Sequence, residues 1–202
     1  MQKIVEKAIL NSYTYNEYRA LIETLLKENK VTGFTQNEHL VHYTELNETR
    51  MNRLDKTLKV TDDVKEGLQA ITKNITWLTI SEGWCGDAAQ IVPMLNKMAE
   101  VSDNIEFKIV LRDENEELMN LFLTNGGKAI PKVIIIDEDN YEVIGSWGPR
   151  PADAKKLIED YKAAHGVIDE TIKVELQKWY LKDKGESTQK ELLAAMEEKI
   201  LA

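Results

Sequence analysis

The chain has 202 residues, of which 43% are apolar and 30% charged, with a net charge of −9. That is enough apolar mass for one domain with extensions, or two small ones. The acidic balance argues against a nucleic-acid or anionic-membrane surface.

No apolar run approaches membrane-spanning length. Met1 to Glu6 offers no apolar stretch of a secretory signal, so a cytoplasmic location is the expectation. Cys85 is the only cysteine, which leaves no intrachain disulfide.

The first seventy or so residues read as helical. Tyr18, Leu21, Ile22 and Leu25 follow helical spacing, which fades at Lys30 to Gly33. A second helix is expected over 37–58, with Met51, Leu54 and Leu58 as its apolar stripe. A third begins near Thr61-Asp62-Asp63, whose oxygens can cap free amides, and runs to about Ile71. The pattern then changes to β: Ile75 to Ile80 is a short, β-rich run that predicts a buried strand.

Trp84-Cys85-Gly86-Asp87-Ala88 follows this strand and opens an apolar helical run to Val101, which Pro93 should kink. Ile105, Phe107, Ile109 and Leu111 alternate as a second strand. Asp113, with Glu116, predicts a capping box for a helix burying Leu118, Leu121 and Phe122, which ends at Asn125-Gly126-Gly127. Pro131 precedes the wholly apolar strand 133–136, and 141–147 is its hairpin partner across the polar turn Asp137 to Asn140. Helices are expected with Ala154, Leu157, Ile158 and Tyr161, then with Ile168, Ile172, Leu176 and Trp179. A last helix is expected behind a Thr188–Glu191 capping box, running to Ile200.

In this order, the Trp84-Cys85-Gly86 turn, Pro93 eight positions on, Ile130-Pro131 before an apolar strand, and Gly148 after a hairpin resemble the thioredoxin-like superfamily. The match spans roughly Asn74 to Ala164. The flanks are similar to those of a bacterial thioredoxin-like subfamily with helical ends. The resemblance implies an α/β fold: a thioredoxin-like mixed sheet flanked by helices, with extra N-terminal and C-terminal helices. The expected division is an N-terminal helical extension (1–73), a core (74–165) and a C-terminal helical extension (166–202). It also implies a cis peptide before Pro131, a groove formed with Ile130, Pro131 and Gly148, and a partner that is a protein or a low-molecular-weight thiol or disulfide.

The chemistry of the turn can be argued from its residues. A thiol at a helix start has its thiolate favoured by free amides. Trp84 can shield one side of the sulfur, and Gly86 permits a tight turn. The pattern also departs from two-cysteine relatives, because Ala88 stands where a resolving thiol would be. The Asp87 carboxylate opposes thiolate formation, and it is expected either to cap the helix or to serve in acid–base chemistry. Three expectations follow: a monothiol exchanging disulfides through Cys85 and resolved by an external thiol, a redox-inactive binding module, or a thiol sensor in which Cys85 is oxidised to a sulfenic acid and dimerises or is capped.

Other candidates carry less. His39 and His42 have metal-ligand spacing but no third ligand nearby, so neither a metal nor a cofactor is expected. His165 is a helix-terminal cation. Arg112-Asp113 reads as a surface charge and a cap. Arg150 reads as a solvated loop charge, or as a contact for an anionic thiol.

Overall fold

The computed structural model describes residues 1–200; the last two residues of the expected 166–202 extension lie outside it. Four strands form one sheet in the order β2-β1-β3-β4. β1 (Ile75–Ser81) pairs in parallel with β2 (Ile105–Leu111) and antiparallel with β3 (Lys132–Asp137). β3 pairs antiparallel with β4 (Val143–Trp147), with a register shift at Ile135/Ile136. Every residue of β1 and β3 is buried, the continuous burial of strands covered on both faces.

The crossover between β1 and β2 is α5 (Ala88–Ala99), which carries Pro93 in its interior. Proline lacks the amide that would bond the carbonyl four residues back. Burial tolerates this: Pro93 is itself among the buried residues of α5, with Val92, Met94 and Leu95 beside it.

The N-terminal helices are α1 (Gln2–Leu10), α2 (Tyr15–Lys27), α3 (Glu38–Thr57) and α4 (Asp62–Gln69). The first helical stretch is thus broken in two. Ser12 to Thr14 turn the chain, and Tyr13 forms a bridge on the outer edge of the sheet, exchanging backbone bonds with Ile109 at 2.7 and 2.8 Å. That contact helps cover an otherwise open edge at β2. Thr14 then caps α2 in a full capping box with Glu17. Replacing Thr14 with alanine should cost about 1 kcal/mol in urea unfolding.

Beyond β2 come α6 (Glu116–Leu121), α7 (Ala152–His165), α8 (Glu170–Asp183) and α9 (Glu186–Ile200). Gly166, in the left-handed conformation at φ 77°, ends α7. α9 packs on β4 and α5, and α3 packs on α5. Trp77, at the centre of β1, donates its indole N–H to Met196 Sδ of α9 at 3.3 Å. The terminal helices therefore complete the core.

Several expected local features differ. Thr61 precedes α4 but makes no side-chain cap. Asn115, and not Asp113, precedes α6, and it makes no side-chain cap either. Leu121 and Ile168 are exposed, and Phe122 is only half buried. α9 starts at Glu186, ahead of the expected capping box. Gln189 bonds Thr61 N and Lys59 O, while Glu191 accepts from Ala152 N at the start of α7 and from Trp147 Nε1. These polar groups satisfy neighbouring elements because tertiary packing brings those donors and acceptors closer than the helix's own amides.

Candidate functional site

β1 ends in a tight turn over Glu82 to Asp87, and α5 begins at Ala88. Cys85 N–H bonds Glu82 O at 3.1 Å, and Cys85 O accepts Ala89 N–H at 3.1 Å. The sulfur therefore sits under the first turn of α5. It accepts the Ala88 N–H at 3.5 Å and donates its S–H to Ile130 O at 3.4 Å. The structure thus brings Cys85, Ala88 and Ile130 together, and the Ile130–Pro131 peptide is cis. Gly148, at φ 112°, packs its Cα against the Pro131 carbonyl.

The sulfur is buried, with Cys85 8% exposed. Burial, and then the Asp87 carboxylate, push its pKa up to about 12. Ala88 N–H acts in the other direction but is too weak to offset both. The thiol is neutral in this arrangement.

Asp87 occupies the position before α5 but caps no amide. One oxygen accepts from Tyr180 OH at 2.8 Å and from Arg150 Nε at 3.0 Å, and the other lies 2.6 Å from Arg150 Nη2. The capping expectation for Asp87 gives way to this two-point clamp. Arg150 is only partly solvated: burial disfavours its charge, and Asp87 more than offsets that, holding its pKa above the ordinary range. The same face is tied down by Gln90 Nε2, which donates to Gln177 Oε1 of α8 at 2.7 Å.

The turn is gripped from the N-terminal side as well. Thr32 Oγ1 accepts from Gly83 N at 2.8 Å, and buried Asn47 donates to Gly83 O at 2.9 Å. Trp84 donates its indole N–H to Thr32 O at 3.1 Å, and the Arg112 guanidinium lies 4.7 Å above its ring. Trp84 is thus anchored to the 30–33 segment. Arg112 also pairs with Asp113, whose carboxylate accepts from Phe34 N.

Glu82 is a residue the sequence reading did not single out. It is fully buried; one oxygen accepts from Asp113 N at 3.0 Å and the other has no partner. A charged residue directly after an apolar strand was the available signal. Burial pushes its pKa up and outweighs the hydrogen bonding that holds it down, the Asp113 N–H included. An acid whose folded pKa is raised stabilises the fold fully below its unfolded pKa and loses that contribution as pH rises through the folded value. Glu82→Gln should therefore be more stable than the parent at neutral pH, with the difference vanishing in acid. Thermal unfolding from about pH 4 to 8 reads this slope.

Over Trp84, Gly86 and Asp87 lies a groove of about 790 Å³ between α3 and α8. His39 and His42 lie on its α3 wall. The His39 ring lies 4.7 Å from that of Tyr43 at a tilt of 56°, and His42 lies near Glu45. Among the described residues no cluster of three potential metal ligands forms, and no helix is long and apolar enough to cross a membrane.

The thioredoxin family profile matches residues 33–162, a span that starts ahead of α3 and includes it. Comparison with curated proteins returns no match. Two solved structures have the same fold, a protein of unknown function from Pseudomonas aeruginosa and an HIV epitope scaffold. Each is 18% identical with a TM-score of 0.58, and covers 92% of this chain and 98% of its own. At that identity the likeness concerns the fold alone.

Proposed function

The chain belongs to the thioredoxin family, and from that premise we propose that it is a binding module of that fold in which Cys85 rests as a neutral thiol. One observation carries the reading. The sulfur is buried with its S–H spent on Ile130 O, and Ala88 stands where a resolving thiol would be. Thiol exchange needs an accessible thiolate and a second thiol to release the partner. This arrangement favours neither.

The groove supports binding in place of chemistry. It is lined by helices of both extensions and by Trp84, Gly86 and Asp87, and Cys85 and Ile130 are not among its lining residues. Its volume is within the range of roughly 300–1,000 Å³ typical of small-molecule sites.

A second reading has its own support in the Ala88 N–H aimed at Sγ, which would stabilise a thiolate once formed. In that reading the Cys85 thiolate attacks a disulfide, whose S–S bond breaks to give a mixed disulfide and a leaving thiolate. An external thiol then attacks the mixed disulfide and restores Cys85. Alkylation of the native thiol separates the two. Slow reaction with iodoacetamide supports the module. Fast reaction that disappears in Cys85→Ser supports exchange and overturns the module.

A further inference from the structure

We propose that the groove between α3 and α8 binds a small organic carboxylate with an apolar body, anchored by the Arg50 guanidinium. The inference deepens the binding-module reading and rests on it.

The charges in the groove are balanced except at one place. Arg150 is held by Asp87, Lys173 lies 2.6 Å from Glu170, and Lys178 lies 2.7 Å from Glu175. Arg50 is half buried and, among the described residues, pairs with no carboxylate. Its one hydrogen bond goes to the neutral Asn47 Oδ1 at 2.7 Å. Burial depresses its pKa, against the neighbouring Tyr43, which acts in the other direction. A partly desolvated cation without a counter-charge is costly, and a bound anion offsets that cost.

The geometry also holds this cation still. Asn47 is fully buried and donates to Gly83 O, so a short relay joins Arg50 to the turn carrying Trp84 and Cys85. A fixed guanidinium presents its planar fork to a carboxylate, the pairing that suits it best. The walls call for an apolar body. Leu46, Val174 and Leu181 line the groove and are 40%, 52% and 57% exposed. Tyr43 OH donates to Glu170 across the groove at 3.1 Å. With one uncompensated cation, and with Asp87 and Glu170 already present, the groove suits a single negative charge better than a phosphate dianion.

The test is calorimetric titration of the full-length protein with octanoate, octanol and octylammonium at neutral pH, with tryptophan fluorescence as a second readout. Octanoate should bind saturably, and octanol and octylammonium at least about tenfold more weakly, because only the carboxylate pairs with Arg50. Arg50→Gln should lose at least about tenfold in octanoate affinity, with Arg50→Lys retaining part of it. Equal affinity for octanol and octanoate, unchanged affinity in a folded Arg50→Gln, or no saturable binding overturns the inference. If Arg50→Gln does not fold, the octanoate-to-octanol ratio in the parent protein decides. A fast-alkylating Cys85 would overturn the module reading without altering these titrations. Failure of octanoate to bind overturns the ligand class alone.

Discussion

Native Cys85 is expected to react with iodoacetamide near pH 7.5 roughly a thousandfold more slowly than the same thiol in the unfolded chain. The thiolate is the nucleophile, and its fraction at this pH falls tenfold for each unit by which the pKa rises. Burial and the Asp87 carboxylate raise that pKa from 9.0 to about 12, and the burial of the sulfur adds a barrier of access. Rates for native and urea-unfolded protein, followed by intact mass, read the ratio.

Asp87→Asn sharpens this expectation. It removes the second cause of the raised pKa and leaves the positive charge of Arg150 facing the turn, so alkylation of the native protein should speed up by about tenfold or more. The same change strips Arg150 and Tyr180 of their acceptor. Breaking a largely buried pair on one side should cost about 2–4 kcal/mol. Native and mutant rates that agree would mean that burial alone silences the thiol.

Gly148→Ala should destabilise the protein by about 2–4 kcal/mol, lowering the melting temperature by roughly 5–15 °C. Two independent reasons combine. The backbone at φ 112° lies where a side chain is strained. A Cβ there would also overlap the Pro131 carbonyl oxygen and come within 3.5 Å of Lys132 Cα, both rigid backbone. Lys132 Nζ also donates to Gly148 O at 3.1 Å, so a shift of this glycine disturbs a buried lysine. Gly126→Ala is the control: it too has positive φ, but a Cβ there meets nothing within 4 Å. It should cost only about 1 kcal/mol. Equal losses at the two positions would mean that conformation, and not the close approach to Pro131, sets the cost.

Most of the fold was legible because it is local. The all-apolar runs at 75–80 and 133–136, the alternation from Ile105, the helix punctuated by Pro93, and the stop at Gly166 each follow from near neighbours in sequence. The capping expectations fared worse. Asp113, Thr188 and Glu191 have the right chemistry for a cap, but each has a choice of donors once the chain is folded. The structure gives Asp113 to Phe34 and Arg112, and Glu191 to the start of α7.

Residue identity and order already frame the site: a lone thiol at the strand-to-helix turn, a proline and a glycine to pack near it, and no second cysteine. Turn chemistry and residue identity suffice for that. What surrounds the turn depends on contacts between segments far apart in the chain. Asn47, Thr32 and Tyr180 reach the turn from 36, 51 and 93 residues away, distances over which no periodicity carries information. Two of them come from the N-terminal segments and one from the C-terminal extension. Those segments hold the turn and its Asp87 carboxylate in place, and Arg50 lines the groove above it without a carboxylate partner among the described residues.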